Sequence, residues 1–400
     1  MFDMFFPTAA DLPLSPPPPW AQFVITAVGL FSVLLPAGPI RLSSGGILFG
    51  LFFYLYVWTA AQTFDAYNAA VTNIGIVYRW LDLVLIHTPE KDFWRVPEVK
   101  EGAEKDHVIE GRAPEGQWAK LKWFTDLWLS ARGVGWNIRN SQMPPSAPSD
   151  VVKSRWLLEY IFRLFFMYLG VDVTSTLMMI IGVDAPFFDQ PIWWQVSVSW
   201  IKVLRSYYAI ELMYSVAAIV AVASGLFKPQ EWPPITGSFR KYGFTIRKMW
   251  GTCWHQLMRR PCSEPARVFK EFFGLKKGSF LSRYSQIWIA FLVSTSTHHA
   301  GAVIGMFEDG GYWQMIYFMV QPAGIMLEDF AIYVGKRAGI QDGASSRALG
   351  FVWTFIWFSW SMRFMAAYQP FSWTASYIFP SLSEYLLKLL GQTINSKMIV

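Results

Sequence analysis

The stretch QIWIAFLVSTSTHHAGAVIGMF, Gln286–Phe307, decides the fold class. Its 22 residues include no Asp, Glu, Lys or Arg. An α-helix needs about 20 predominantly apolar residues to cross the hydrocarbon core of a bilayer. Working outward, seven further apolar stretches stand at Trp20–Gly38, Gly46–Gln62, Ala70–Ile86, Trp156–Gly182, Tyr207–Phe227, Tyr312–Val334 and Ala348–Tyr368. The expectation is an all-α, polytopic integral membrane protein of about eight transmembrane helices, with interfacial amphipathic helices beside them. A single membrane-embedded domain is expected over residues 1–400, with N-terminal spans at 20–86, a polar loop at 87–154 and a C-terminal span at 348–370. Ile192–Leu204, which carries Trp193, Trp194, Trp200 and Lys202, reads either as an interfacial helix or as an extension of the next span. Leu382–Leu390 is too short to cross alone.

Composition agrees with insertion. Hydrophobic residues make up 53% of the 400 and charged residues 16%, where a soluble chain carries roughly 25% charged. The 21 Trp, 33 Phe and 17 Tyr suit the headgroup region, where aromatic rings collect. Met1–Trp20 is acidic and proline-rich with no basic n-region, so the first span is expected to act as an uncleaved anchor. Two cysteines, Cys253 and Cys262, argue against a disulfide framework and match no zinc spacing.

The net charge of +6 does not point to nucleic acid, because the positive charge is gathered in one loop. Lys228–Arg283 holds twelve basic and three acidic residues, and positive-inside bias places such a loop in the cytosol. The polar loop at 87–154 lies two spans away, hence on the same side. It contains the charged segment Glu90–Glu115 and a turn-rich MPPSAP stretch at 143–148. Between them, Gln117–Ala131 spaces Trp118, Leu121, Trp128 and Leu129 like one face of an interfacial helix.

Two places carry candidate chemistry. His298 and His299, two of only five histidines, follow Ser294, Thr295, Ser296 and Thr297 in mid-span. Polar and ionisable residues at that depth are costly and mark functional sites by default. Adjacent helical side chains diverge by about 100°, so one histidine faces a cavity while the other packs elsewhere. The alternative is a structural histidine bonded to a neighbouring helix. The second place is Phe244–Met258, in the basic loop, where Trp250, Trp254 and Met258 repeat at i, i+4, i+8 beside His255. That pattern predicts an amphipathic surface helix, either bringing His255 towards a cavity beneath or serving no chemistry at all.

At these two segments the chain resembles the membrane-bound O-acyltransferase superfamily, in its wax-synthase-like branch. MWGTCWH, Met249–His255, is similar to that branch's FWGRRWN loop motif at Trp250, Gly251 and Trp254, with His255 at the Asn position. FLVSTSTH, Phe291–His298, fits the branch's FLVSxxxH motif throughout, and FMVQPAGIMLE, Phe318–Glu328, looks like its next helix. RGVGWN, Arg132–Asn137, resembles a stretch of fungal members that acetylate terpenoids and meroterpenoids. The resemblance implies a wax-synthase-like catalytic region at about 230–340, an endoplasmic reticulum location, and transfer of an acyl group from acyl-CoA, acetyl-CoA above all, to a lipophilic alcohol. Long-chain wax-ester or sterol acylation is the alternative product class. The partners implied are the bilayer, acyl-CoA and the alcohol; no metal and no permanently bound cofactor are implied.

A thioester is already activated, so the machinery required is a base for the hydroxyl and a donor for the developing oxyanion. The resemblance assigns the base to His298 and the donor role to His255, Trp254 or the Ser294–Thr297 hydroxyls. Arg247, Lys248, Arg259 and Arg260 either attract CoA phosphates or only set topology and touch anionic headgroups. Trp250 and Trp254 belong to the same binding loop, and Ser294, Thr295, Thr297 and His299 to the acceptor cavity. Three rival classes remain: a transporter using His298 and His299 as a proton path, a structural membrane protein, and an intramembrane metal enzyme. The absence of a repeated half and of paired broken helices speaks against the transporter, and the absence of a HisxxxHis pair against the metal enzyme; the structural protein would show no CoA affinity.

Overall fold

The computed structural model describes residues 18, 20–57, 64–96, 113–181, 186–305, 310–367 and 381–389. Most of the proline-rich Met1–Trp20 segment and most of the charged Glu90–Glu115 segment lie outside the described residues. Among those described, every regular element is helical and the one β feature is an isolated bridge between Arg95 and Trp136.

The helices are α1 (Ala21–Phe31), α2 (Pro39–Phe52), α3 (Phe64–Trp80), the single turn α4 (Pro89–Asp92), α5 (Gln117–Leu129), α6 (Lys153–Ile181) and α7 (Ile192–Ala223). There follow the short turns α8 (Phe239–Tyr242) and α9 (Ile246–Lys248), then α10 (Arg259–Phe272), α11 (Phe280–Ile304), α12 (Gly310–Arg337), α13 (Ala344–Ala367) and α14 (Leu382–Leu389). A helix underlies each of the eight expected spans. Five are long and apolar enough to cross a bilayer by themselves: Ala66–Ile86, Lys153–Ile181, Ile192–Ala223, Phe280–Ile304 and Gly311–Arg337. The protein is a polytopic, all-helical membrane protein.

Boundaries moved where a cap or proline acts. α11 starts at Phe280 because the Ser279 hydroxyl accepts the Ser282 amide at 3.2 Å, satisfying one of the orphan donors of a helix start. Ile192–Leu204 is an extension of the next span: one unbroken helix runs over Ile192–Ala223. In α5 the buried face is Phe124, Leu127 and Trp128, while Trp118 and Leu129 are exposed. Packing against α1 holds the buried face, since Trp128 fills a notch where a Cβ on Gly29 would sit 2.5 Å from its ring.

The chain forms two compact units: Met1–Gln142 with Gln256–Pro322, and Met143–His255 with Ala323–Val400. In the first, α11 packs along α3 and α10, and α1, α2, α3 and α5 enclose a core around Ile25, Leu48, Leu83, Phe124 and Trp136. In the second, α7 packs against α6 and α13, and α14 against α6.

An ion cluster fastens α10 to the π-helical end of α3, Leu81–Ile86. Arg260 grips both oxygens of Asp82 (2.5 and 2.8 Å), and Arg79 lies 3.5 Å from the same carboxylate. Arg267 pairs with Glu264 and Glu271. Burial pulls the His87 imidazole down, but the hydrogen bonds it donates to the Asp82 side chain and backbone carbonyl outweigh it and raise His87 above the ordinary value. Asp82, His87 and Glu264 are metal-ligand types within 4.8 Å of one another, yet three guanidinium groups already serve the two carboxylates.

Candidate active site

α11 presents its polar run to α3 and the first half of α12. The Tyr67 hydroxyl of α3 lies 2.7 Å from His298 Nδ1 and donates to Gln314 Oε1 of α12 at 3.4 Å. Phe318, one turn beyond Gln314, stacks on the His298 imidazole with centroids 4.5 Å apart and planes 14° from parallel. Gly301 makes room for this approach: a Cβ there would stand 3.0 Å from the Tyr67 ring and 2.7 Å from Val71. His298 is thus clamped from two neighbouring helices.

The rest of the run is unequal. His299 is exposed and its Nδ1–H donates to the Gly311 carbonyl at 2.9 Å, so the two histidines diverge as helical geometry requires. Thr297 and Ser296 both spend their hydroxyl protons on the Val293 carbonyl (2.9 and 2.8 Å), and the Ser296 oxygen also meets the Tyr78 hydroxyl. A hydroxyl has one proton to give, so neither is available to an oxyanion without leaving its own helix. Thr295 Oγ1 is buried and has no partner, and Ser294 is half-buried.

The second candidate segment belongs, as far as His255, to the other unit and is built differently from its sequence pattern. Phe244–Met258 is not one amphipathic helix. α9 is a single turn capped by Thr245, residues Met249–Cys253 form a π-helical turn, and Trp254 is extended at φ −66°, ψ 154°. The physical reason is competition for backbone groups. The Gly237 amide takes the Cys253 carbonyl at 3.0 Å, and the Trp254 amide reaches back five residues to Met249. Gly237 is needed there, since a Cβ would lie 2.2 Å from the Thr252 carbonyl oxygen. Trp250 and Trp254 still meet, edge to face at 6.4 Å, and Trp254 lies 5.4 Å from His255. His255 Nδ1 is sealed from solvent with no hydrogen-bond partner, and burial pushes the imidazole down to about 4.

Beneath this turn lies Glu328, whose carboxylate accepts the Ile246 amide (2.6 Å), the Arg247 amide (3.3 Å) and Trp353 Nε1 (3.1 Å). It supplies negative charge where a helix start offers bare N–H groups. The basic residues are partly engaged. Arg247 pairs with Asp329, Arg260 with Asp82, and the Lys248 ammonium sits 4.3 Å from the centre of the Phe244 ring. Burial lowers Arg259 from its ordinary value. Burial also pushes the Cys253 and Cys262 thiols up to about 12, so both are protonated at neutral pH and are poor nucleophiles.

Residues 232–320, which include both segments, match the membrane bound O-acyl transferase family. Over that stretch the chain resembles this family, and it is an acyl-transferring membrane enzyme. The acetyltransferase sirH of Emericella nidulans is 28% identical to it over 85% of this chain and 82% of its own length. The acetyltransferase ple2 of Rhodocybe pseudopiperita is 28% identical over 79% of this chain and 81% of its own. The O-Mevalon transferase macI of Penicillium terrestre is 26% identical over 74% and 71%. No solved structure matches.

In this acyltransferase the Arg132–Asn137 stretch is a structural staple. Gly133 and Gly135 take φ values of +69° and +76°, which only glycine adopts without strain. Trp136 is 1% exposed in the core. Asn137 accepts the Trp94 amide and donates to the Asp92 carbonyl, and Asn140 donates to Gln256 at 2.9 Å. Tyr67, Gln314 and Glu328 had no roles in the sequence reading. Tyr67 even precedes the expected span at Ala70, so only its place in three dimensions reveals it.

Proposed function

We propose that this enzyme moves an acetyl group from acetyl-CoA to a hydroxyl of a lipophilic acceptor, a terpenoid or meroterpenoid intermediate of secondary metabolism, with His298 as general base. The observation that carries the reading is the His298 imidazole held by Tyr67 and Phe318 on a mid-span helix inside the family-matched region. The acceptor O–H proton passes to the imidazole as the oxygen attacks the thioester carbonyl. The C–S bond then breaks, and the proton leaves with the CoA sulfur. His255 is neutral near pH 7 and serves as a donor or orienting group rather than a base, because a base works best when its pKa lies near the operating pH. Thr295, buried and unpartnered, is a hydroxyl of the run with a proton left to give an oxyanion. The acetyl donor is supported by relatives named acetyltransferases, while the mevalon transferase shows that related chains carry other groups.

The test uses yeast membranes containing the enzyme, radiolabelled acetyl-CoA, and farnesol, ergosterol and hexadecanol as acceptors. Labelled ester with farnesol is expected, and ester with ergosterol alone would move the enzyme to the sterol-acylating class. Ester from hexadecanol with palmitoyl-CoA alone would move the enzyme to the wax-ester class, and absence of transfer with all three would overturn the reading.

We further infer that the enzyme resides in the endoplasmic reticulum with Lys228–Arg283 in the cytosol, where CoA is supplied. A glycosylation sequence inserted beside Lys276 should remain unmodified in microsomes. Efficient glycan addition would put the loop on the wrong side for that donor.

A further inference from the structure

We propose that Tyr67 is a positioning residue for His298: its hydroxyl passes its own proton to Gln314, accepts the Nδ1–H of His298, and so fixes the tautomer with the basic lone pair on Nε2. The inference deepens the reading of His298 as general base and rests on it.

A tyrosine hydroxyl has one hydrogen. Its oxygen is 3.4 Å from Gln314 Oε1, an acceptor with no hydrogen, and 2.7 Å from His298 Nδ1. With the hydrogen given to Gln314, the tyrosine oxygen must act as acceptor toward His298, which requires Nδ1 to carry the imidazole proton. In a neutral imidazole the lone pair is then on Nε2. That is the arrangement in which a third group orients a base. The ring has little freedom to escape. Phe318 covers one face of the imidazole, and the notch at Gly301 seats the Tyr67 ring against α11. His299, one residue on, is bound to a backbone carbonyl instead and provides an internal control.

The two possible directions of the short Tyr67–His298 bond make opposite predictions. A hydroxyl oxygen accepting from Nδ1–H favours the imidazolium over the neutral ring, so its loss makes His298 harder to protonate. A hydroxyl donating to an Nδ1 lone pair favours the neutral ring, so its loss has the reverse effect.

The test compares wild type, Tyr67→Phe and Gln314→Leu in the full-length protein in detergent. Tyr67→Phe keeps the ring that packs against Gly301. Diethyl pyrocarbonate, which reacts with unprotonated imidazole, is applied across pH 5–8. Modification of His298 and His299 is scored separately by tandem mass spectrometry. In both variants the midpoint for His298 should move to lower pH by about half a unit or more, with His299 unmoved. With farnesol and acetyl-CoA, the kcat of Tyr67→Phe should fall roughly 10- to 100-fold, the range for losing a hydrogen bond to a charged group, at nearly constant KM. A shift of the His298 midpoint to higher pH, or none, overturns the tautomer assignment whatever the turnover. Unchanged kcat in Tyr67→Phe beside a dead His298→Ala overturns the positioning role and leaves the base assignment standing. Full activity in His298→Ala overturns both.

Discussion

His298 and His255 are the same side chain in two settings. His298 is half-buried in a long helix, with Nδ1 in a 2.7 Å contact to a tyrosine and an aromatic ring across its face. His255 sits in a broken, π-turned loop with Nδ1 buried and unpartnered. A buried polar atom without a partner costs about 1–3 kcal/mol, so the loop retains His255 at the expense of stability. The difference teaches how packing gives two imidazoles different properties. A partner on one nitrogen selects which nitrogen is basic, whereas burial without a partner holds the ring neutral and suits it to donate or orient.

The largest effect should come from the partnered histidine. His298→Ala should reach normal membrane levels, bind acyl-CoA, and lose roughly 10²–10⁴-fold in turnover, the size of a general-base contribution. His299→Ala should lose far less, because its ring bonds the Gly311 carbonyl. Radiolabel transfer measured at matched expression decides. Loss confined to His299→Ala would shift the assignment by one residue.

An intermediate effect should separate donation from proton transfer at the other histidine. His255→Asn keeps an N–H donor of similar reach and should retain measurable turnover, while His255→Ala should lose more. Equal inactivity of the two variants would mean that a proton does pass through His255, and the contrast with His298 would collapse.

The smallest effect concerns stability and pH. Burial holds folded His255 near 4, below the ordinary 6.5. Above about pH 6.5 both folded and unfolded chains leave it neutral. As pH falls from there towards 4, the unfolded chain takes up a proton that the folded chain refuses, so stability declines. His87 contributes with the opposite slope. Its raised folded value adds stability below pH 6.5, which is lost as pH rises through that value. Comparing variant with parent isolates His255. His255→Leu should raise the melting temperature in detergent at pH 7.5 by a few degrees, on the order of 1 kcal/mol, and should flatten the decline between pH 6.5 and 4. An unchanged acid slope would show that Nδ1 is satisfied after all.

The amino-acid sequence determined that this chain spans a membrane, that the regular elements among its described residues are helical, and that one span carries a polar run ending in His298. Those properties are local, set by hydropathy over about 20 residues and by the spacing of side chains along one helix. The same locality explains the misreading of Phe244–Met258. Trp250, Trp254 and Met258 have helical spacing, but their helix is broken by backbone partners at Gly237 and its start is capped by Glu328, 82 residues from Ile246. Spacing within a segment cannot register a distant competitor for its carbonyls. The face of α5 was decided likewise, by the notch at Gly29. Tertiary structure alone joined Tyr67 to His298 across 231 residues, and withheld any partner from His255 Nδ1. Which histidine is oriented and which is merely enclosed depends on atoms from other helices, so it is a property of packing and not of the motif.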